Sequence, residues 1–373
     1  MTLLKNPLLW EFSIHKFNIY VNDNFKNGLN QPRYECILLF NIRRRKLNMD
    51  LSTKYLGLSL KNPIVVASCG LTKSVDKIKK CEDAGAGAVV MKSLFEEQIR
   101  EMNSGLEKSV EMHTEALDYI RAEIDMQLGP REYIETIKQA KKQVSIPVIA
   151  SVNCYTSKWW TSYAQQIEAA GADALELNIY VMPFNSEMSG YNLENTYSEI
   201  LQAVKEQVDI PVSLKLSPYF TSFANLAEKL DSQGANGLVL FNRFVQPEID
   251  TQKISSSVKP SFNDPIGFSN ALRWIALLSG KLKLDIAASG NIRNASDMIK
   301  QLLAGATVIQ IASVLYKEGL GKIAEMLNGL ESWMKEKKFN SIEDFRGNLN
   351  QEKDPKSAAY IRAQYIKSIA GVE

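Results

Sequence analysis

Eight short runs of apolar and β-branched residues recur from residue 60 onward, and a segment of helical length separates most of them from the next. Parallel strands that are buried on both faces have this continuous apolar character. Eight βα units within roughly 260 residues match the size of a (β/α)8 TIM barrel, an α/β fold. The runs that we predict to be strands are residues 63–67, 88–91, 147–150, 174–177, 211–215, 237–241, 284–288 and 307–311.

The turns that precede these runs are also repeated. Four predicted helices end in a small-residue cluster with a central glycine, at residues 84–86, 170–172, 233–235 and 304–306. Glycine suits the left-handed position that commonly ends a helix. Ser-Ile-Pro-Val at 145–148 and Asp-Ile-Pro-Val at 209–212 are near copies of a second turn, in which proline suits the start of a strand. A doubly wound open sheet is the alternative fold, but no Gly-x-Gly-x-x-Gly motif follows the first run.

The chain divides into three predicted segments: an irregular N-terminal extension (1–48), the barrel (49–350) and a C-terminal helical appendage (351–373). The extension is basic, with eight Lys or Arg against three Asp or Glu, and it has no strand or helix period. A targeting or membrane-anchoring arm is one interpretation, although the features of signal and transit peptides are missing. The favoured interpretation is that this stretch is not native and that the protein starts at Met49.

The overall composition excludes several classes of protein. A net charge of +2 gives no reason to expect nucleic acid as a partner. No apolar run approaches the ~20 residues that a membrane helix needs. The four cysteines and two histidines fit neither a metal site nor a disulfide framework. We therefore expect a cytoplasmic enzyme that acts on a small molecule, without nucleic-acid or membrane partners.

Four polar residues come at the C-terminal ends of predicted strands, where barrel enzymes build their sites. Lys92, Asn178, Lys215 and Asn242 follow or end the second, fourth, fifth and sixth runs. Two lysines at one face indicate an anionic ligand, because an unpaired buried ammonium is very unfavourable. The alternative is that each residue only caps a loop.

The last two strand-to-helix turns indicate a phosphate site. Ser289, Gly290 and Asn291 follow the seventh run, while Ala312 and Ser313 follow the eighth. In barrels these two turns commonly bind phosphate through backbone N–H groups and a helix N-terminus. A tight turn without a ligand is the alternative.

Six stretches, taken together in order and spacing, resemble the dihydroorotate dehydrogenase family, most closely its soluble class, over about residues 50–350. They are Ala-Ser-Cys-Gly at 67–70, Val-Met-Lys-Ser at 90–93, the run ending Lys-Leu-Ser-Pro-Tyr at 215–219, Ser-Gly-Asn-Ile at 289–292, Ile-Gln-Ile-Ala-Ser at 309–313 and Glu-Asp-Phe-Arg-Gly at 343–347. The resemblance implies an FMN-dependent oxidation of dihydroorotate to orotate in pyrimidine biosynthesis, and a possible homodimer.

The resemblance also implies roles for particular residues. FMN accepts a hydride at N5, and a nearby cation stabilises the negative charge of the reduced ring, a role for Lys92 and Lys215. The expected substrate contacts are Asn178 and Asn242. The expected FMN contacts are Ala67, Ser68, Gly70, Lys92, Ser93, Asn178, Lys215, Ser289, Gly290, Asn291, Ala312 and Ser313.

Two departures from the family pattern affect the chemistry. The family motif Asn-Leu-Ser-Cys-Pro-Asn carries the general base, and here Asn178 is followed by Ile-Tyr-Val-Met-Pro, which puts Val181 at the position of the base. The family's substrate loop has no counterpart at 112–119. The candidates for a replacement acid or base are Tyr180, which we favour, Cys154 and His113.

Three functions are compatible with the sequence. The first is an FMN-dependent oxidoreductase that acts on dihydroorotate or a related cyclic amide. The second is a flavin-free, phosphate-binding barrel with lyase or isomerase activity. The third is a non-catalytic, FMN-binding subunit. A yellow purified protein separates the first and third from the second.

Overall fold

The structure is a computed structural model that describes residues 49–98, 129–156, 160–242, 247–258 and 265–354, together with 356, 366 and 370. The strands are β1 (Thr53–Tyr55), β2 (Leu58–Leu60), β3 (Ile64–Val66), β4 (Ala88–Val90), β5 (Leu94–Phe95), β6 (Val148–Cys154), β7 (Ala174–Ile179), β8 (Val212–Leu216), β9 (Gly237–Leu240), β10 (Pro247–Asp250), β11 (Ser255–Val258), β12 (Asp285–Ser289) and β13 (Val308–Ile311). The α-helices are α1 (Val75–Asp83), α2 (Pro130–Gln143), α3 (Trp160–Ala169), α4 (Gly190–Lys205), α5 (Phe223–Ser232), α6 (Pro265–Leu278), α7 (Ala295–Ala304), α8 (Ser313–Glu318) and α9 (Lys322–Lys337).

Eight parallel strands close into a barrel. Their order around it is β3, β4, β6, β7, β8, β9, β12 and β13, with β13 paired to β3. Each of the eight predicted runs overlaps one of these strands, so the TIM barrel is confirmed and the open sheet is wrong. Helices alternate with the strands and pack their apolar faces on the outside of the barrel.

Two strands extend two or more residues beyond the apolar runs that predicted them. β6 continues to Cys154 and β7 to Ile179, beyond the predicted ends at residues 150 and 177. The additional residues include Ser151, Asn153 and Asn178, which alternate with buried apolar neighbours. Because successive side chains of a strand point to opposite faces, this alternation directs polar groups into the barrel. The ends of these two strands are therefore polar on the side that faces the barrel interior.

A hairpin that the sequence analysis did not predict fills the N-terminal end of the barrel. β1 and β2 form an antiparallel pair, and the backbone N–H of Leu56 donates to the Asp285 carboxylate at 2.7 Å. A Cβ at Gly237 would lie 2.7 Å from a methyl group of Leu56. Gly237 therefore leaves the space that the Leu56 side chain occupies.

The helix-to-strand turns are as predicted. Gly85, Gly171, Gly234 and Gly305 all have positive φ angles. The two Ile-Pro-Val turns share a further device, because an acidic side chain near the end of an earlier helix accepts their N–H groups. Glu82 accepts from Ser145 and Ile146, and Glu168 accepts from Asp209 and Ile210.

The segment after α9 folds back onto the barrel. Asp50 forms a bridge with Ser341, and Phe345 is fully buried against the rings of Trp333 and Phe339. The extension at 1–48 and most of the appendage at 351–373 lie outside the described residues, so those two segments remain predictions. No helix in the described part of the chain is both long and apolar enough to cross a membrane.

Candidate functional site

The C-terminal mouth of the barrel carries a row of polar side chains on three adjacent strands. Asn153 on β6 pairs in register with Asn178 on β7, which pairs with Lys215 on β8. Each is half-buried. Residues two positions earlier on the same strands, Ser151, Glu176 and Ser213, are buried in the layer beneath. Since alternate residues share a face, the whole row faces the mouth.

Asn153 was missed by the sequence analysis. It lies beyond the apolar part of its strand, whereas the prediction stopped where the apolar residues stop. The period-two pattern of Ser151 to Cys154 is the signal that could have revealed it. Its carboxamide adds a third amide to a mouth that already contains Asn178 and Asn242.

The two predicted lysines lie at this mouth. Lys92 follows the inward-facing Val90 by two residues, and Lys215 follows Ser213 by two. Lys215 is near enough to the Cys69 thiol to affect its pKa, which burial raises and the ammonium lowers. Within the described residues, neither lysine forms an ion pair or a hydrogen bond through its side chain. Two half-buried ammonium groups that have no side-chain partner in the described part of the chain favour an electron-rich or anionic ligand nearby.

The predicted substrate residues contact each other. The Asn242 amide nitrogen donates to the Asn178 carboxamide oxygen at 2.5 Å, and the Asn242 backbone N–H donates to the Leu216 carbonyl at 2.6 Å. The side-chain bond joins the ends of the fourth and sixth barrel strands across the mouth. It fixes the orientation of the Asn178 amide, because its oxygen now accepts and its NH₂ group remains available to a ligand.

A break between β4 and β5 shapes the second strand end. In this gap the Tyr133 hydroxyl accepts the Ser151 N–H at 2.8 Å and donates to the Ser151 carbonyl at 3.0 Å. The Tyr133 side chain thus takes the place of a neighbouring strand. The gap also leaves Ser93 free to bond two other hydroxyls, Ser68 at 2.9 Å and Ser151 at 2.7 Å.

The two predicted phosphate turns differ in how their helices begin. At α7 the Asn294 side chain already caps the first turn, which also contains Asp297. At α8 the position before Ser313 is Ala312, with no side-chain cap and no acidic residue in the first turn. Unsatisfied N–H groups and a positive helix end favour an anion at α8 and not at α7.

The neighbouring turn after β12 leaves room for such an anion. Gly290 has a φ of 106°, and a Cβ there would meet nothing within 4 Å. Asn291 also has a positive φ, and its carboxamide oxygen accepts from Arg293 at 2.9 Å. The residues predicted to bind phosphate lie around the ends of two adjacent strands, β12 and β13, and each is buried or half-buried. They are Ser289, Gly290, Asn291, Ala312 and Ser313.

The first strand end is tied to α8 through a tyrosine. The Tyr316 hydroxyl interacts with the Cys69 thiol and with the backbone of Gly70. A Cβ at Gly70 would lie 2.7 Å from this hydroxyl. Gly70 is therefore required for the contact, and it continues the turn from Ala67 and Ser68 at the predicted flavin-facing backbone.

The position of the missing base carries an aliphatic side chain that packs outward. Val181 contacts the apolar layer between the barrel and its helices, and the Tyr197 hydroxyl bonds to its backbone. Tyr180 is half-buried, and its pKa is raised by burial and by neighbouring Tyr219. Cys154 is fully buried in the same outer layer, where burial and the charge of Glu96 raise its pKa well above the ordinary value.

Among the described residues, two of the proposed replacement bases lie at strand ends: Tyr180 directly follows β7, whereas Cys154 ends β6 but is packed in the outer apolar layer. His113 and the loop at 112–119 lie outside the described residues. Glu96, which the sequence analysis did not single out, is fully buried and accepts N–H groups from Tyr155 and Thr156. It holds the loop after β6 and so the end of the strand that bears Asn153.

Comparison with known proteins agrees with this arrangement. Relatives include the catalytic subunits of dihydroorotate dehydrogenase B (NAD(+)) from Thermoplasma volcanium, 28% identical over 314 residues (80% of this chain and 98% of the relative), and from Pyrococcus horikoshii, 27% identical over 311 residues (80% and 97%). The sequence model of the family described as dihydroorotate dehydrogenase matches residues 50–334. No group of three potential metal-ligating side chains occurs in the described part of the chain. The chain belongs to the dihydroorotate dehydrogenase family and is an oxidoreductase of the CH–CH-oxidising type.

Proposed function

We propose that this protein is an FMN-dependent oxidoreductase that oxidises a cyclic amide of the dihydropyrimidine class. The observation that carries the proposal is the pair of lysines, Lys92 and Lys215, whose side chains have no partner among the described residues. They lie at the same mouth as Asn178 and the start of α8, which has no side-chain cap. A flavin mononucleotide has one phosphate and one ring system that becomes negative on reduction. The start of α8 is proposed to take the phosphate and the two lysines to face the ring.

The residues of the chain would divide the work as follows. The turns at Gly290 and Ser313 would hold the phosphate through backbone N–H groups. Lys92 and Lys215 would stabilise negative charge on the ring, because a preorganised cation in a water-poor site acts strongly. Asn178, fixed by Asn242, would orient the substrate amide. When bound, the flavin supplies the acceptor for the substrate hydride.

Dihydroorotate itself is expected to be a poor substrate. A positioned general base typically contributes about 10²–10⁴-fold to such a reaction. Val181 cannot accept a proton, and its side chain packs away from the mouth. Tyr180 is the proposed substitute, although its raised pKa keeps its hydroxyl protonated at neutral pH, so that few molecules hold it in the form that accepts a proton. We therefore expect slow dihydroorotate turnover and a different preferred cyclic amide.

A second subunit is proposed to receive the electrons. The relatives are named as catalytic subunits of an NAD(+)-linked enzyme. Large apolar side chains are exposed after β7, among them Phe184 at 90% and Tyr191 at 72%. Tyr219, after the next strand, is 60% exposed. Such a patch fits a protein partner better than water. A homodimer is the alternative occupant.

The experiment is reconstitution with FMN followed by anaerobic mixing with a panel of dihydropyrimidines. We expect about one FMN per chain and bleaching of its visible band by one member of the panel. Failure to bind flavin would favour the flavin-free lyase or isomerase. Bound flavin that no member reduces would favour the non-catalytic subunit.

A further inference from the structure

Four polar side chains meet in the centre of the barrel, one layer beneath the mouth. Tyr55, Glu176, Ser213 and Gln310 are each no more than 2% exposed. Each has one polar atom without a hydrogen-bond partner among the described residues: the Tyr55 hydroxyl, Glu176 Oε1, Ser213 Oγ and Gln310 Oε1. The set contains two hydroxyl donors and two acceptor oxygens.

These atoms belong to a single cluster. Gln310 Nε2 donates to Glu176 Oε2 at 2.6 Å, and Glu176 and Ser213 are register partners on β7 and β8. Burial raises the pKa of Tyr55 well above its ordinary value, the charges of Glu176 and Asp285 raise it further, and a contact with the Ser213 hydroxyl lowers it. The Tyr55 hydroxyl therefore lies next to Ser213 and within the electrostatic influence of Glu176.

Leaving such groups unsatisfied is unfavourable. Each buried polar atom without a partner costs about 1–3 kcal/mol, and more where the group is charged. Buried waters typically make about three hydrogen bonds to otherwise unsatisfied groups of this kind. The four unsatisfied atoms are two hydroxyls, which can donate, and two oxygens, which accept. They are the hydrogen-bond partners that a buried water molecule would need.

A chain of hydroxyls leads from this cluster to the mouth. Ser151 is the register partner of Glu176 on β6. Its hydroxyl bonds the Ser93 hydroxyl at 2.7 Å, which bonds the Ser68 hydroxyl at 2.9 Å. Ser151 is fully buried, whereas Ser93 and Ser68 are half-buried at the predicted flavin site.

We propose that the barrel centre holds buried water bonded to Tyr55, Glu176, Ser213 and Gln310, and that Glu176 exchanges protons with the mouth through this water and the serine chain. When a proton binds to the Ser68 hydroxyl, that hydroxyl gives its own proton to Ser93. In the same way Ser93 gives a proton to Ser151, and Ser151 gives one to the water. The Glu176 carboxylate gains the final proton at Oε1. Each hydroxyl and the water break one O–H bond and form another, Glu176 Oε1 forms the last O–H bond, and no oxidation state changes along the path.

The proton-exchange role rests on the proposed function, in which the flavin takes the hydride and the substrate releases a proton. Val181 offers no acceptor for that proton, so a route that starts at another strand end has a use here. The water site itself does not depend on a flavin. Its test is therefore separate.

The water site is tested by an atomic-resolution crystal structure of the full chain without cofactor. We expect density for at least one water within hydrogen-bond distance of Glu176 Oε1 and of two other members of the cluster. A centre without such water, in which Glu176 Oε1, Gln310 Oε1 and the Tyr55 and Ser213 hydroxyls bond one another directly, would overturn the proposal whether or not FMN binds.

The exchange role is tested in the FMN-loaded protein by following proton uptake with an indicator dye during photoreduction, which needs no substrate. We expect Ser151→Ala and the isosteric Glu176→Gln each to slow proton uptake at least tenfold. Ser198 is a buried serine on α4 that does not belong to the row of serine hydroxyls, so Ser198→Ala should match the wild type. Ser151→Ala and Glu176→Gln that behave like Ser198→Ala would refute the exchange role, while a chain that binds no FMN would refute the proposed function.

Discussion

The side chains of Asn242 and Asn178 are joined by a 2.5 Å hydrogen bond across the barrel mouth, although the residues are 64 positions apart in the chain. Because Asn242 donates to the Asn178 carboxamide oxygen, the bond fixes the direction in which the Asn178 NH₂ group points. It therefore couples the residue proposed to meet the substrate to the first residue of a long connection. Preorganisation of this kind lowers the cost of ordering a polar contact on binding.

Removal of Asn242 should weaken substrate binding without loss of flavin. Asn242→Ala is expected to raise KM for the preferred cyclic amide about tenfold, which corresponds to about 1.4 kcal/mol. Asn328→Ala, an exposed asparagine on α9, is the matched control. Steady-state kinetics and flavin titration check the two expectations. An unchanged KM would show that Asn242 does not orient the substrate.

Loss of a mouth lysine should impair flavin reduction with every substrate. Lys92→Ala is expected to slow anaerobic reduction about 10²-fold, comparable to the loss of one preorganised electrostatic contact. Lys54→Ala removes an exposed lysine from the hairpin at the other end of the barrel and should have no effect. Stopped-flow absorbance measures both. Equal rates for the two variants would remove the role assigned to Lys92.

The packing of the β1–β2 hairpin in the N-terminal end of the barrel should depend on Gly237. A Cβ there would press on Leu56 at 2.7 Å and on the Asp285 carbonyl at 3.2 Å, so Gly237→Ala should destabilise the fold by about 1–3 kcal/mol. A Cβ at Gly190 meets nothing within 4 Å, so Gly190→Ala should change stability by less than about 0.5 kcal/mol. Urea unfolding compares them. Equal stabilities would mean that the hairpin does not fill the barrel end as described.

Acid should weaken the turn that Glu82 holds. Burial alone would raise the pKa of Glu82, but bonds from Lys79 and from the Ser145 hydroxyl and N–H together lower it from 4.5 to about 2. A lowered folded-state pKa gives stability that is present above pH 4.5 and is lost as the pH falls towards 2. Glu82→Gln should therefore cost about 2 kcal/mol at pH 7 and progressively less below pH 4.5. A pH-independent difference in unfolding free energy would contradict this origin.

The fold was predictable because eight buried parallel strands leave a continuous apolar signal in the sequence. The polar ends of those strands were harder to predict. Asn153 and Ser151 interrupt the apolar run, and their period-two spacing is too short a signal to show by itself what the register of β6 with β7 shows, that they face inward. The Asn242–Asn178 bond and the Tyr133 hydroxyl in the sheet gap depend on long-range topology. A sequence pattern carries no information about such contacts.

The hairpin escaped prediction for a different reason. Its strands have three residues each, too few to establish a period, and they are stabilised by Asp285 and Gly237 from distant strands. Lys92 and Lys215 were found from sequence because a lysine at the end of an apolar strand is unusual. Their roles, and those of the other site residues, remain predictions.

The most direct test of the central claim is the visible spectrum of the full chain, incubated with FMN, desalted and mixed anaerobically with dihydroorotate. The account predicts about one bound FMN per chain whose band bleaches slowly with dihydroorotate and faster with another dihydropyrimidine. Tyr180→Phe should slow the residual dihydroorotate reaction and leave FMN bound. A chain that retains no flavin would contradict the account, as would rapid dihydroorotate oxidation that Tyr180→Phe does not change.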